Sequence, residues 1–460
     1  MSYQNITDII CKHVIETTFE DLEELAVARL KDRVLDGIGD IAVGVHAPMC
    51  DELFQMVEYY QSPKNNATAL FRGKKIAAAE AAMVNNLEMR SYDFEPVQCE
   101  NKGKKCSAGH ISGTTMPTAL AAAEAANASG KEFITALAVA DDINARLGAA
   151  TGFDVYSGWD STNTINGLGA TTAAGKLAGL TQQQLNNAYG IDLNTLGSTI
   201  DNINYKTMAF KFPMAHAARN AIFSAEYAQK GMTATHDAFG GEKGYFYLFG
   251  SEKQNPDLLL EDLGKVYYAD VVIKPWSSCR VTQPSIDAIV QIVTTHEIDP
   301  KQVAKIIVHV TPRTSKGFCA QPWEKQEEPQ VSAAFSIIYT AALAVVYKDV
   351  RPEHMTEAVM DDPQIKEMID KVEIHPTLNP DEYVTANVDI IMKDGTDYFA
   401  RCENVLGNIY HNPMSRQQIL DKFYKNVDGK ISRETADKVI DMVDHLENLA
   451  SINELTALLI

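Results

Sequence analysis

The chain has 460 residues, 45% of them hydrophobic and 22% charged, with a formal net charge of −20. That length exceeds one ordinary core, so two or three domains are expected. The acidity excludes non-specific nucleic-acid binding, which needs Lys and Arg to neutralise phosphates.

No apolar run approaches the roughly 20 residues of a membrane span. The acidic N-terminus MSYQNITDIICKHVIETTFEDLEE is unlike a signal peptide. The cysteines are odd in number and widely spaced. Only Cys99 and Cys106 come close together, and not at zinc spacing. They read as free thiols of a reducing compartment, and the protein as cytoplasmic.

In chain order, the first 90 residues are helical in pattern, from the apolar spacing of DLEELAVARLKDRVLDGIGDIAVGV to the Ala-rich IAAAEAAMVNNLEM. Helices are predicted over 118–128, 131–149, 166–180 and 215–231, the last stopped by Gly231. The polar cluster Asp141-Asp142-Ile143-Asn144-Ala145-Arg146 interrupts an apolar helix and is compatible with a solvated face. After residue 265 the texture changes. VYYADVVIKPW is rich in β-branched and aromatic residues, VAKIIVHVTPRT alternates, and VTANVDIIMKDGTDYFARCEN predicts a hairpin about Asp394-Gly395. The last 45 residues return to amphipathic helix. The expected fold is mainly α with α+β: a large all-helical domain from both termini (1–268 and 405–460) and a smaller α+β lid domain (269–404).

Four stretches could carry chemistry. In SYDFEPV, Asp93 and Glu95 are spaced to share a proton as an acid–base pair, or to form a plain acidic loop. In CSAGHISGTTMPTALAAAE, glycines and hydroxyls, among them Ser107, Ser112 and Thr114, lead into a helix whose N-terminus attracts a carboxylate or phosphate. His110 in that loop could move a proton near neutral pH. GWDSTNTINGLG again sets polar groups, including Asp160, before a small-residue helix. In DVVIKPWSSCRVTQPSID, Lys274 and Arg280 suit a substrate carboxylate. No dinucleotide fingerprint, P-loop, catalytic zinc motif or nucleophile elbow occurs, so neither a nucleotide cofactor nor a catalytic zinc is indicated.

Taken in order, RSYDFEPV, GHISGTTMPTALAAAEA, GWDSTNTINGLGATTAAGKLAGL, FKFPMAHAARNAIFSAEYAQKGMTA, KPWSSCRVTQPSIDAIV and AAFSIIYTAALAVV resemble the MmgE/PrpD family over nearly the whole chain. The resemblance implies a homodimer with its site between the two domains. It implies a cofactor-independent lyase that abstracts a proton beside a carboxylate of a small di- or tricarboxylate, a hydro-lyase of the 2-methylcitrate dehydratase kind. Epimerisation, decarboxylation or a catalytically inactive carboxylate-binding paralogue are the alternatives. Carried over by position, Asp93, His110 and Lys274 match family residues, and Lys211, with Lys206 as the other choice, matches a helix lysine.

The chain also departs from the family pattern. Asp160 and Gln283 stand where histidines are common, Ile111 replaces a proline, and the loop before His110 is longer and carries Lys102, Lys104 and Lys105. A carboxylate at 160 cannot stabilise an anion as an imidazolium could, and glutamine cannot titrate. A less charged or amine-bearing substrate is therefore expected, with Asp160 facing an ammonium group.

Overall fold

The structure is a computed structural model that describes residues 6–60, 62–98, 100–101, 104–105, 109–155, 158–269 and 271–460. Cys99, Lys102, Cys106 and Ser107 lie outside the described residues, as do the side chains of Lys104 and Lys105.

The chain is mainly α-helical with an α+β part. The helical part is built on close approach. Ala78–Arg90 is buried along nearly its whole length. It crosses Glu24–Gly44 where Gly44 meets the backbone of Glu88, and a Cβ on Gly44 would sit 1.9 Å from the Glu88 carbonyl oxygen. Gly130–Thr151 starts at a capping box between Ser129 and Glu132, which satisfies two otherwise orphaned amides. It packs on Asn166–Leu177, and Phe212–Gln229 lies against Ala78–Arg90 and Asn166–Leu177. From the other end of the chain, Arg416–Val427 and Arg433–Asp444 return to pack on Glu24–Gly44.

The α+β part carries a four-stranded sheet. Its spatial order is Asp397–Cys402, Ala386–Met392, Val303–His309, Val372–His375, with the last pair parallel and the others antiparallel. The hairpin turns at Asp394-Gly395, where Gly395 takes a φ of 88°. Alternating burial along Val303–His309 and Ala386–Met392 turns one face to Gln283–Thr295 and Ile337–Tyr347.

Three local expectations change. The first 90 residues also hold a short hairpin, Ala67–Ala69 with Lys74–Ile76. Among its described residues, VYYADVVIKPW supplies only the two-residue strand Val271–Val272, paired with Val97-Gln98. Side chains satisfy the backbone before it: Asp142 accepts from the Tyr268 amide at 2.7 Å, and Arg146 donates to the Val266 carbonyl at 2.9 Å. Asp142 and Arg146 are therefore buried rather than solvated, and so are Asn144 and Asp141, the latter held by Arg33, Ser112 and Thr115. Among the described residues no helix is long and apolar enough to cross a membrane, and Cys11, Cys50, Cys279, Cys319 and Cys402 are free thiols.

Candidate active site

Helix Ala78–Arg90 ends in a tight turn that presents Asp93, Phe94 and Glu95. Asp93 takes a left-handed φ of 50°, a strained conformation for a residue with a Cβ. The strand pairing of Val97 with Val272 fixes this segment beside Lys274.

Every charge here is buried and paired. Arg90 Nη1 contacts Asp93 and lies 2.6 Å from Glu95 Oε1. Lys274 Nζ sits 3.2 Å from Asp93 Oδ2 and donates to the Asp93 carbonyl at 2.5 Å. His110 brings Nδ1 to 2.7 Å from Glu95 Oε1, off the line of a straight hydrogen bond. Burial works to raise the Glu95 carboxyl, but Arg90, Lys274 and His110 together hold it well below the usual carboxylate range. An ionised Glu95 against Nδ1 favours a proton on that nitrogen and leaves Nε2 as the basic one.

His110, Asp93, Arg90, Asp160 and Arg280 line one narrow cavity, with Tyr383 and several apolar side chains. Residues of both the helical and the α+β parts form its walls. Its volume of about 40 Å³ is room for a few waters, so a larger molecule enters only if those walls part. Burial pushes the Tyr383 phenol up to about 12, against the opposing pull of Arg280, and so keeps it a proton donor.

All but one of the other expected site residues among the described ones stand outside the cavity wall. Ser112, also at positive φ (66°), accepts from Arg33 Nε at 2.8 Å and donates to Asp141. Thr114 donates to the Thr162 carbonyl at 3.2 Å. Gln283 donates to the Trp276 and Ser278 carbonyls at 3.0 and 3.1 Å, which fixes the turn after Lys274. Lys211 donates to the Pro48 carbonyl at 2.8 Å, and burial lowers it to about 8. Lys206 donates to the Phe318 and Phe335 carbonyls at 2.9 and 3.1 Å, behind two rings that do line the cavity. Asp160 lines it, but its Oδ1 already accepts from the Thr162 amide at 2.8 Å and hydroxyl at 2.7 Å, as the cap of Ser161–Thr164.

Asp93, Glu95 and His110 are also the described side chains that could converge on a metal ion. The chemistry of the set opposes it, since the Arg90 guanidinium touches both carboxylates and the Lys274 ammonium touches Asp93. A cation there would meet two fixed positive charges.

The MmgE/PrpD N-terminal domain model matches residues 8–257, and the MmgE/PrpD C-terminal domain model matches residues 276–448. The chain belongs to the MmgE/PrpD family. Among its relatives, the cis-aconitate decarboxylase of Mus musculus is 23% identical over 480 residues, covering 100% of this chain and 94% of that protein. The Homo sapiens cis-aconitate decarboxylase is 24% identical and covers 100% and 95%. That of Aspergillus terreus is 24% identical and covers 99% and 96%. Family membership therefore extends over both parts whose walls meet at the cavity.

The sequence reading passed over Arg90, which stands three residues before Asp93 at helical spacing and could have been found that way. It also passed over Tyr383, which a loop of the α+β part delivers and which carries no local signal.

Proposed function

We propose that this MmgE/PrpD protein is a cofactor-independent lyase that moves a proton at a carbon beside a carboxylate of a small carboxylic acid. The observation that carries the reading is the contact of His110 with buried, ionised Glu95 at the wall of a cavity that also holds Arg280. His110 Nε2 takes the proton, and Glu95 stabilises the imidazolium that forms. Arg280 and the Tyr383 hydroxyl face the carboxylate, onto which negative charge spreads as the C–H bond breaks. Arg90 and Lys274 hold Asp93 and Glu95 in place and keep Glu95 ionised.

Loss of hydroxide from the neighbouring carbon completes a hydro-lyase reaction. The decarboxylase alternative draws support from the names of the relatives. There the bond to CO₂ breaks first, and His110, starting as the imidazolium, gives its Nε2 proton to the carbanion and ends neutral.

Incubation with small carboxylic acids in D₂O, followed by NMR, tests the proposal. Deuterium is expected beside a carboxylate, and His110→Ala should slow its uptake by about 10²–10⁴-fold. Undiminished exchange in that variant overturns the role of His110.

A further inference from the structure

The cavity wall says more about the substrate than the acid–base group does. Its charges nearly cancel: Arg90 and Arg280 stand against Asp93 and Asp160, and Arg90 is already shared between Asp93 and Glu95. Most of the remaining wall is apolar. Phe153 and Val155 come from the loop after Gly130–Thr151, Ile200 and Ile203 from around Asp201–Asn204, and Phe318 and Phe335 from the α+β part.

Ile200, Ile203, Phe318 and Phe335 belong to one continuous core cluster, so the surface an arm would meet once the walls part is continuous hydrocarbon rather than a stray patch. The Lys206 ammonium lies 5.8 and 5.6 Å from the centres of the Phe318 and Phe335 rings and bonds the carbonyls of the same two residues. It fixes both rings in place without lining the cavity.

We propose that the substrate is an acid with one ionised carboxylate at the reacting end and an apolar arm of several carbons, not a tricarboxylate. The carboxylate sits toward Arg280 and Tyr383, the reacting carbon at His110, and the arm among Phe153, Val155, Ile200, Ile203, Phe318 and Phe335. A second and third carboxylate among these hydrocarbon side chains would lose water without gaining a partner among the described residues of the wall, and the penalty for a buried unpaired charge exceeds what the arm's burial contributes. This inference rests on the acid–base reading of His110 for the position of the reacting carbon, and on the wall alone for the arm.

The test compares 3-hydroxybutanoate, 3-hydroxyhexanoate and 3-hydroxyoctanoate with citrate and cis-aconitate on the full chain. Dissociation constants are measured by calorimetry and exchange of the C2 proton by NMR in D₂O. Affinity is expected to rise about fourfold per methylene until the arm fills the wall, with both tricarboxylates weaker than 3-hydroxyhexanoate. Tighter binding of either tricarboxylate, or affinity independent of arm length, overturns the inference. Tricarboxylate exchange that vanishes in His110→Ala leaves the acid–base reading standing and overturns the apolar arm. Arm-dependent binding without exchange of any acid supports the arm and removes the reaction.

Discussion

Two buried acid–base clusters meet at Phe94, and they behave in opposite ways. In front, Asp93 and Glu95 are matched by Arg90, Lys274 and His110. Behind, Asp36 and Asp40 share Lys422, whose Nζ lies 2.6 Å from Asp36 and 3.1 Å from Asp40. The same ammonium donates to the Phe94 carbonyl at 3.3 Å and lies 3.7 Å from the centre of its ring. Both clusters hold two carboxylates in nearly complete burial. The front one keeps Glu95 below the usual range. In the rear one burial and the Asp36 charge, only partly opposed by Lys422, raise Asp40 well above it. The ratio of cations to carboxylates makes the difference. The front cluster is charged and opens on a cavity; the rear one pushes its carboxyls toward the protonated form, and neither Asp36 nor Asp40 is among the side chains lining that cavity.

Removing the rear cation should break this contrast most severely. Lys422→Met leaves two buried carboxylates facing each other and releases the Phe94 carbonyl. A loss of about 3–5 kcal/mol is expected in urea unfolding at pH 7. A loss below about 1 kcal/mol would mean that the rear cluster is neutral without its lysine.

The pH dependence sharpens the contrast and carries opposite signs on the two sides. Glu95 binds its proton less tightly folded than unfolded. Its contribution is present above the ordinary 4.5 and fades as pH falls toward its depressed folded value. Asp40 binds its proton more tightly folded. Its contribution is present below the ordinary 3.8 and fades as pH rises through the elevated folded value. Glu95→Gln should therefore flatten the acid side of the stability profile and abolish turnover. Asp40→Asn should flatten the decline toward neutral pH and leave turnover intact. Unfolding free energies from about pH 3 to 9 decide it, and a matching change in both variants would show that the clusters are not distinct.

The contrast also explains what the sequence could reveal. The helices, the hairpin at Asp394-Gly395 and the neighbourhood of Asp93, His110 and Lys274 were legible because local spacing or ordered motifs carry them. The partner of His110 was legible only as half of a pair: Asp93 and Glu95 stand together in the sequence, and the fold turns Glu95 to the imidazole and Asp93 to Lys274. Asp36, Asp40 and Lys422 left no trace, because residues nearly 400 positions apart meet only after the C-terminal helix docks. Asp141 and Arg146 looked like a solvated face for a related reason. Their partners, Arg33 and the carbonyls of Glu261 and Val266, are remote in sequence.

The smallest expected effect concerns the loop that carries His110. One turn supplies both an imidazole at the cavity and, two residues on, a hydroxyl in a closed network. Ser112 joins Arg33 to Asp141, and Thr115 donates to the other Asp141 oxygen at 2.5 Å. The hydroxyl-rich loop suggested carboxylate binding, yet in the fold Ser112 serves a protein carboxylate. Ser112→Ala should therefore cost about 1.5–3 kcal/mol of stability, the value of a hydrogen bond to a charged group. Turnover per folded molecule and KM should not change, because Arg33 and Asp141 still pair at 3.0 Å. If instead KM rises while urea unfolding is unmoved, the loop hydroxyl reaches substrate. The division between a reactive and a structural side of this turn would then have to be redrawn.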